Sequence, residues 1–249
     1  MSLALETRGL CKSFGALAVA NDINFSLEAG ARHALIGPNG AGKTSFVNLV
    51  TGALQPSAGR ILLGDDDITV LPQAARTKRG LVRTFQISAL FRRLTLIENV
   101  TLAVSEREGV AGNFLKPAGA YRAIIEEAHA LLESLGLADE ALRPVNELAY
   151  GRQRLGDIAV SLGLKPKVLL LDEPAAGVPS GETGAIVDMI EQLSPEIALL
   201  IIEHDMDLVF RLAKRITVMV RGRVLLEGPP ELIAADAQVR EVYLGERAR

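Results

Sequence analysis

A chain of 249 residues is long enough to bury one large core or two small ones, and nothing in that size calls for a covalent staple. The formal charge is -3 and the lysines and arginines are scattered, which excludes a long-range pull toward nucleic acid. Cys11 is the single cysteine; it excludes an internal disulfide and a cysteine-built metal site, and it suits a reducing compartment.

Met1 to Gly9 contains Glu6 and Arg8 and lacks the charged-then-apolar order of a secretory leader, so the chain is expected to start as mature protein in the cytoplasm. From Leu3 to Leu27 a short, partly alternating pattern with a turn at Phe14-Gly15 predicts antiparallel strands. Glu28-Ala29-Gly30 breaks that pattern. Ala34-Leu35-Ile36 predicts a strand that runs into a glycine-rich turn, and the helix after the turn is expected to end near Thr51-Gly52. Gly59 to Gly64 and Leu81 to Phe85 predict two further strands, the second ending at Gln86. Between Leu90 and Lys165 the chain reads as helical, and Tyr121, Ile124, Ile125, Ala128, Leu131, Leu132 and Leu135 share one face at the 3.6-residue period. Gly109 to Gly119 reads as a loop, mobile or facing a partner.

Val168 to Leu171 and Ala198 to Ile202 are continuous apolar runs of the kind a central parallel sheet buries on both faces. A helix from about Glu182 to Leu193 separates them, with Ala185, Ile186, Met189, Ile190 and Leu193 expected to face inward. Ile216 to Val220 and Arg223 to Glu227 read as paired strands around Gly222, followed by short helices. No apolar run approaches the roughly 20 residues that span a bilayer. The pattern sums to an α/β core with an antiparallel flank on its N-terminal side and a helical insertion in the middle.

The chemistry centres on Gly37-Pro38-Asn39-Gly40-Ala41-Gly42-Lys43-Thr44, followed by Ser45, which fits GxxxxGK[ST] between a strand and a helix. A polyphosphate must be wrapped by backbone N–H groups, and residues without a side chain let the backbone come close enough. Lys43 would put a point charge on the β and γ phosphates, Thr44 would give its hydroxyl to Mg²⁺, and the positive end of the helix would add to both. Asp172 and Glu173 end the apolar strand that begins at Val168. Asp172 is placed to hold the nucleotide's metal ion, and Glu173, past the strand end, to polarise a water for in-line attack. His204 follows the next strand after Glu203, within reach of the same γ-phosphate, and the Gln86 amide could see Mg²⁺ or the attacking water. His33 and His129 receive no role.

These residues together resemble the ATP-binding cassette (ABC) ATPases. Gly37 to Thr44 looks like a Walker A loop, Val168 to Glu173 like a Walker B strand with its glutamate, and Gln86 and His204 sit where that family places its Q-loop and switch histidine. Leu148-Ala149-Tyr150-Gly151-Arg152-Gln153-Arg154, ahead of a helix, resembles the signature usually written LSGGQ. Asp172 to Gly177, Ile202 to Met206 and Val242-Tyr243-Leu244-Gly245 look most like the ATPase subunits of branched-chain amino acid importers.

The resemblance covers essentially the whole chain. It implies a P-loop ABC ATPase domain over residues 1–249 with a mixed central sheet: 1–90 and 166–249 form the nucleotide-binding core and β flank, and 91–165 is the helical insertion. It further implies ATP and Mg²⁺ sandwiched between two chains, so that Ala149, Tyr150, Gly151 and Arg152 complete a site on a second ATPase subunit, identical or paralogous. Membrane-spanning permease subunits would meet the insertion, in which Arg92, Arg93 and Leu94 to Asn99 follow the Q-loop and the two arginines form either a contact or a solvated face, with a solute-binding protein beyond them. The expected place is the cytoplasmic face of the plasma membrane. Phe14 falls where the family stacks an aromatic ring on adenine.

The signature departs from the common form. Ala149 replaces a serine, Tyr150 a glycine and Arg152 a glutamine, and one lost hydrogen bond to a charged group costs about 1.5 to 3 kcal/mol, which Arg152 could return at the phosphate. Val178-Pro179-Ser180-Gly181 stands at the D-loop without its usual aspartate. A lipid or lipopolysaccharide transporter ATPase, a non-transport nucleotide switch and a subunit of low turnover stay open as alternatives.

Overall fold

The computed structural model describes residues 2–84, 90–113 and 121–244. By internal contacts the chain forms two compact units. The first comprises Met1–Val82, Lys167–Glu173 and Ser194–Arg249, and the second Arg83–Pro166 with Pro174–Leu193.

In the first unit, β1 (Leu3–Phe14) and β2 (Leu17–Glu28) form the N-terminal hairpin, closed by the Phe14–Leu17 pair. β1 also pairs antiparallel with β4 (Ala58–Leu63), which carries the short β5 (Asp66–Asp67), giving the order β2-β1-β4-β5. The central sheet is mixed. Its order is β10-β9-β3-β8-β7-β6, from β3 (Arg32–Ile36), β6 (Leu81–Arg83), β7 (Val168–Asp172), β8 (Ala198–Ile202), β9 (Arg215–Val220) and β10 (Arg223–Gly228). Strands β9, β3, β8 and β7 are parallel, and β10 turns back on β9. β8 is buried throughout and β7 up to Asp172, which is why both read as unbroken apolar runs.

The register ends these strands level. Leu35 of β3 and Asp172 of β7 both lie beside Ile202 of β8. Whatever follows the three strands therefore emerges along one edge. α1 (Lys43–Thr51) buries Phe46, Val47, Leu49 and Val50 in the core shared with the N-terminal sheet, and α2 (Gln73–Lys78) leads to β6. α7 (Met206–Leu212), α8 (Pro230–Ala235) and α9 (Ala237–Leu244) complete this unit, with Val209 and Ile233 in a second cluster around Ala34, Ile36, Ile216 and Val218.

The second unit is helical. Thr95 and Glu98 form a reciprocal capping box that starts α3 (Leu96–Arg107). α4 (Arg122–Ser134) buries Ile124, Ala128 and Leu132, the centre of the face seen in the sequence. α5 (Tyr150–Gly163) comes so close to the start of α3 that a Cβ on Gly156 would stand 2.7 Å from the Leu96 side chain. Arg107 clamps the three helices: it meets both carboxylate oxygens of Glu127 at 2.8 and 2.7 Å and the Gly163 carbonyl at 2.7 Å. That guanidinium, with Lys165 at 3.0 Å, pulls the Glu127 carboxyl down to about 2.

Three local expectations shift. In α6 (Ser180–Gln192) Ile186, Met189 and Ile190, with Leu193 just past its end, are buried as expected, but at the edge of the stripe Val187 is buried and Ala185 is exposed. α5 begins at Tyr150, so Tyr150 to Arg154 of the stretch expected ahead of the helix are already in it. β6 ends at Arg83, and Phe85, Gln86 and residues 114–119 of the predicted loop lie outside the described residues. No helix among the described residues is long and apolar enough to cross a membrane.

His33 has a place in the fold after all. Only 1% exposed in β3, its Nε2 lies 2.8 Å from the Thr217 hydroxyl of β9. That hydroxyl donates to Glu227 of β10 at 2.8 Å, and Glu227 accepts from Arg215 at 2.6 Å. Because Thr217 gives its proton to a carboxylate, it accepts from His33, so the neutral ring carries its hydrogen on Nε2. Burial lowers the His33 pKa from 6.5 to about 4, with Arg215 pushing the same way and Glu227 opposing. The native state thus holds a neutral ring that the unfolded chain protonates below 6.5. The stability it gives is complete above that value, erodes as pH falls and is gone below about 4. In urea titrations, the parent's advantage over His33→Gln should shrink by about 3 kcal/mol between roughly pH 7 and pH 4.

Candidate nucleotide-binding site

The glycine-rich loop leaves the end of β3 and enters α1. Two of its three glycines, Gly37 and Gly42, are required by close approaches inside the protein. A Cβ on Gly37 would lie 2.2 Å from the Met219 carbonyl oxygen, and one on Gly42 2.6 Å from the Val19 carbonyl oxygen. Gly42 is the N-cap of α1 and supplies no side-chain acceptor, and the first turn holds no acidic residue. The helix therefore starts without any negative group of its own to compete for an anion. Lys43 folds its ammonium back over the loop, donating to the carbonyls of Gly37 and, at 3.0 Å, Pro38. The positive charge already sits in the cradle. Asn39, Gly40 and Thr44 are exposed, Ala41 is buried, and Pro38 and Ser45 are half-buried.

Along the same edge, Asp172 ends β7 half-buried and Glu173 follows it with a φ of 48°. The Glu173 backbone N–H donates to the Ile202 carbonyl at 2.9 Å, which fixes this left-handed residue against the end of β8. His204, after β8, has its Nδ1 3.7 Å from Glu173 Oε1 and 3.8 Å from Glu203 Oε2, with 68% of its side chain exposed. Its backbone N–H donates to buried Glu203 at 3.1 Å, and Asp205 caps α7 by accepting from Asp207 and Leu208. The histidine is thus held at the mouth of the site by backbone geometry. Phe14, 53% exposed at the end of β1, presents its ring under Lys12 at 5.2 Å.

The predicted signature residues lie in the helical unit. Ala149 is the N-cap of α5 with no side-chain cap bond. A Cβ on Gly151 would meet the Glu182 carboxylate of α6 at 2.2 Å, a contact that rotation of that exposed side chain would relieve. Tyr150 lies against Gly177, and the Arg154 guanidinium stands 5.2 Å from the Tyr150 ring. Arg152, expected to reach a phosphate, is committed within its own unit: it donates to Glu140 at 2.7 Å and to the Gly136 carbonyl at 2.8 Å. Gln86 lies outside the described residues. The structure thus brings Gly37 to Ser45, Asp172, Glu173 and His204 to one sheet edge, and sets Ala149 to Arg152 at the start of a helix in the other unit.

A strand, a glycine-rich loop capped by lysine, and a carboxylate pair at the end of a parallel strand one place removed in the sheet define a P-loop ATPase. This chain belongs to the ABC transporter family, whose model matches residues 20–176. A second model, described as branched-chain amino acid ATP-binding cassette transporter, matches residues 223–249. The chain is 40% identical to the high-affinity branched-chain amino acid transport ATP-binding protein LivG of Escherichia coli K12, over 97% of this chain and 98% of the relative. It is 39% identical to BraF of Pseudomonas aeruginosa over the same shares. Among solved structures, the ADP conformation of an ATP-binding cassette of an ABC transporter superposes with a TM-score of 0.87 at 30% identity, covering 98% of this chain and 100% of that one. The protein is an ATP-binding and ATP-hydrolysing subunit of an ABC transporter.

Gly222 escaped the sequence reading as part of this site. Arg221 and Gly222 form the two-residue turn between β9 and β10, with φ of 49° and 76°, as a tight hairpin turn requires. The Gly222 N–H donates to the Ala41 carbonyl of the phosphate loop at 2.8 Å, and its carbonyl accepts from Asn21 of the N-terminal hairpin at 2.8 Å. One residue joins the hairpin that carries Phe14 to the loop. The only signal in the sequence was a turn glycine between two strands. A Cβ at Gly222 would stand 2.8 Å from the Val19 carbonyl oxygen. Gly222→Ala should therefore lose about 2 kcal/mol of stability in denaturant titrations and weaken ADP binding several-fold in calorimetry, with the loop displaced.

Proposed function

We propose that this subunit powers an importer of branched-chain or related amino acids by closing over ATP with a second ATPase subunit. The carrying observation is that a preset ammonium, a strand-end carboxylate pair and a histidine occupy one edge of the sheet. The cargo reading is supported by the match of residues 223–249 and by the relatives' transport of branched-chain amino acids.

Lys43 and the N–H groups of Gly40 to Thr44 hold the β and γ phosphates, with Phe14 against the adenine. Mg²⁺ suits the donors present. The Thr44 hydroxyl and the Asp172 carboxylate are oxygen ligands, and the described residues contain no cluster of three His, Cys, Asp or Glu side chains that would suit a protein-caged metal. When bound, the ion would neutralise charge on the phosphates. Glu173 accepts a proton from the attacking water as the new O–P bond forms and the bond to ADP breaks. His204, beside Glu173, contacts the γ-phosphate, and Gln86 reports on the water and metal.

Ala149 to Arg152 complete the partner's site through the open N-terminus of α5, where the uncapped N–H groups suit a phosphate. The insertion at residues 91–165 meets permease subunits on the cytoplasmic side of the membrane, and the solute-binding protein acts through them. ATP ties two cassettes together and hydrolysis releases them.

A slow-turnover reading has one observation in its favour: Arg152 is occupied by Glu140 instead of being free for the phosphate. Glu173→Gln separates the two. It should keep ATP affinity, lower steady-state ATPase by at least about 100-fold, and accumulate an ATP-dependent dimer on a sizing column. A parent already as slow as the variant would favour the second reading.

A further inference from the structure

Arg76 of α2 lies at the far end of the phosphate-loop helix and is the largest side chain the described residues bury completely. Its described partners are all backbone carbonyls. Nη1 donates to Leu49 at 2.7 Å and Val50 at 2.6 Å, Nε to Leu71 at 2.9 Å, and Nη2 to Thr69 at 2.8 Å. Leu49 and Val50 belong to the last turns of α1, which has no basic residue of its own there. The fit is close: a Cβ on Gly52, the C-cap of α1, would stand 2.8 Å from Arg76 Nε.

A methionine could fill this volume without burying a charge. It could not bond four carbonyls, and it could not set a positive charge at the negative end of a nine-residue helix whose other end faces the phosphates. That helix is about 13 Å long. A charge at its rear still acts through a protein interior of low dielectric, and the fork of the guanidinium fixes the direction in which the helix points.

We propose that Arg76 is a positioning residue for nucleotide binding: it fixes the rear of α1 and complements its dipole, so that the front presents a preorganised cradle to phosphate. The inference rests on the nucleotide-site reading of residues 37–44. The alternative is a clip that holds residues 69–71 to α1 and contributes to stability alone.

Calorimetry on the full chain separates them, with ADP and inorganic tripolyphosphate as probes, below the melting temperature of each variant. Arg76→Met should bind ADP about tenfold more weakly at unchanged stoichiometry, with tripolyphosphate weakened by the same factor, and Arg76→Lys should fall about threefold, between Met and parent. A clip would lower stoichiometry with the folded fraction and leave the Kd of the folded molecules at the parent's value, which overturns the proposal. If Arg76→Met does not fold, Arg76→Lys decides: a Kd equal to the parent's overturns it, and a threefold loss supports it. A parent that binds neither probe removes the nucleotide-site reading instead.

Discussion

Burial of both faces of β7 and β8 is the constraint on which the rest of this structure depends. A parallel strand with no solvated face can carry no chemistry along its length, so reactive groups are displaced to its ends. Because β3, β8 and β7 end level, the displaced groups collect: the glycine loop, Asp172 with Glu173, and Glu203 with His204. Residues far apart in the sequence are carried to one edge by the strands that precede them. The apolar register does the assembling, and the polar residues inherit their places from it.

Backbone contacts then refine the place. Gly37 and Gly42 let the loop pack against Met219 and Val19, and the Gly222 turn ties the loop to the N-terminal hairpin. The loop is thus shaped by its own protein before any phosphate arrives. Lys43 shows the same economy, since the carbonyls that hold its ammonium are those of the loop it serves. A phosphate would be a stronger acceptor for that ammonium than the carbonyls of Gly37 and Pro38.

The parts of this molecule legible in the sequence are those with a period or a spacing. The apolar runs of β7 and β8, the 3.6-residue stripe of α4 and the GxxxxGKT loop all appear where they were read. Burial on both faces looks alike in any register, however, and so the pairing of His33 with Arg215, and through it the line from His33 to Thr217 and Glu227, had no trace in the letters. Arg76 is the plainest case. An arginine in a six-residue helix reads as surface, and only the fold shows carbonyls converging on it. The altered signature was visible residue by residue, but the commitment of Arg152 to Glu140 depends on a contact across 12 positions that no local pattern encodes. α6 shows the limit of periodicity itself: Ile186, Met189, Ile190 and Leu193 are buried where they were read, but at the edge of the stripe periodicity chose Ala185 where the fold buries Val187.

Glu173 occupies the left-handed region, with φ of 48°. For a side chain of that length the conformation costs about 1 kcal/mol, and it is tolerated best by glycine, asparagine and aspartate. With Glu173 in the proposed role of base, stability and chemistry pull in opposite directions at this residue. A shorter carboxylate would suit the backbone better and stand farther from its target, so a drift toward a hardier protein at position 173 would also be a drift toward a slower one.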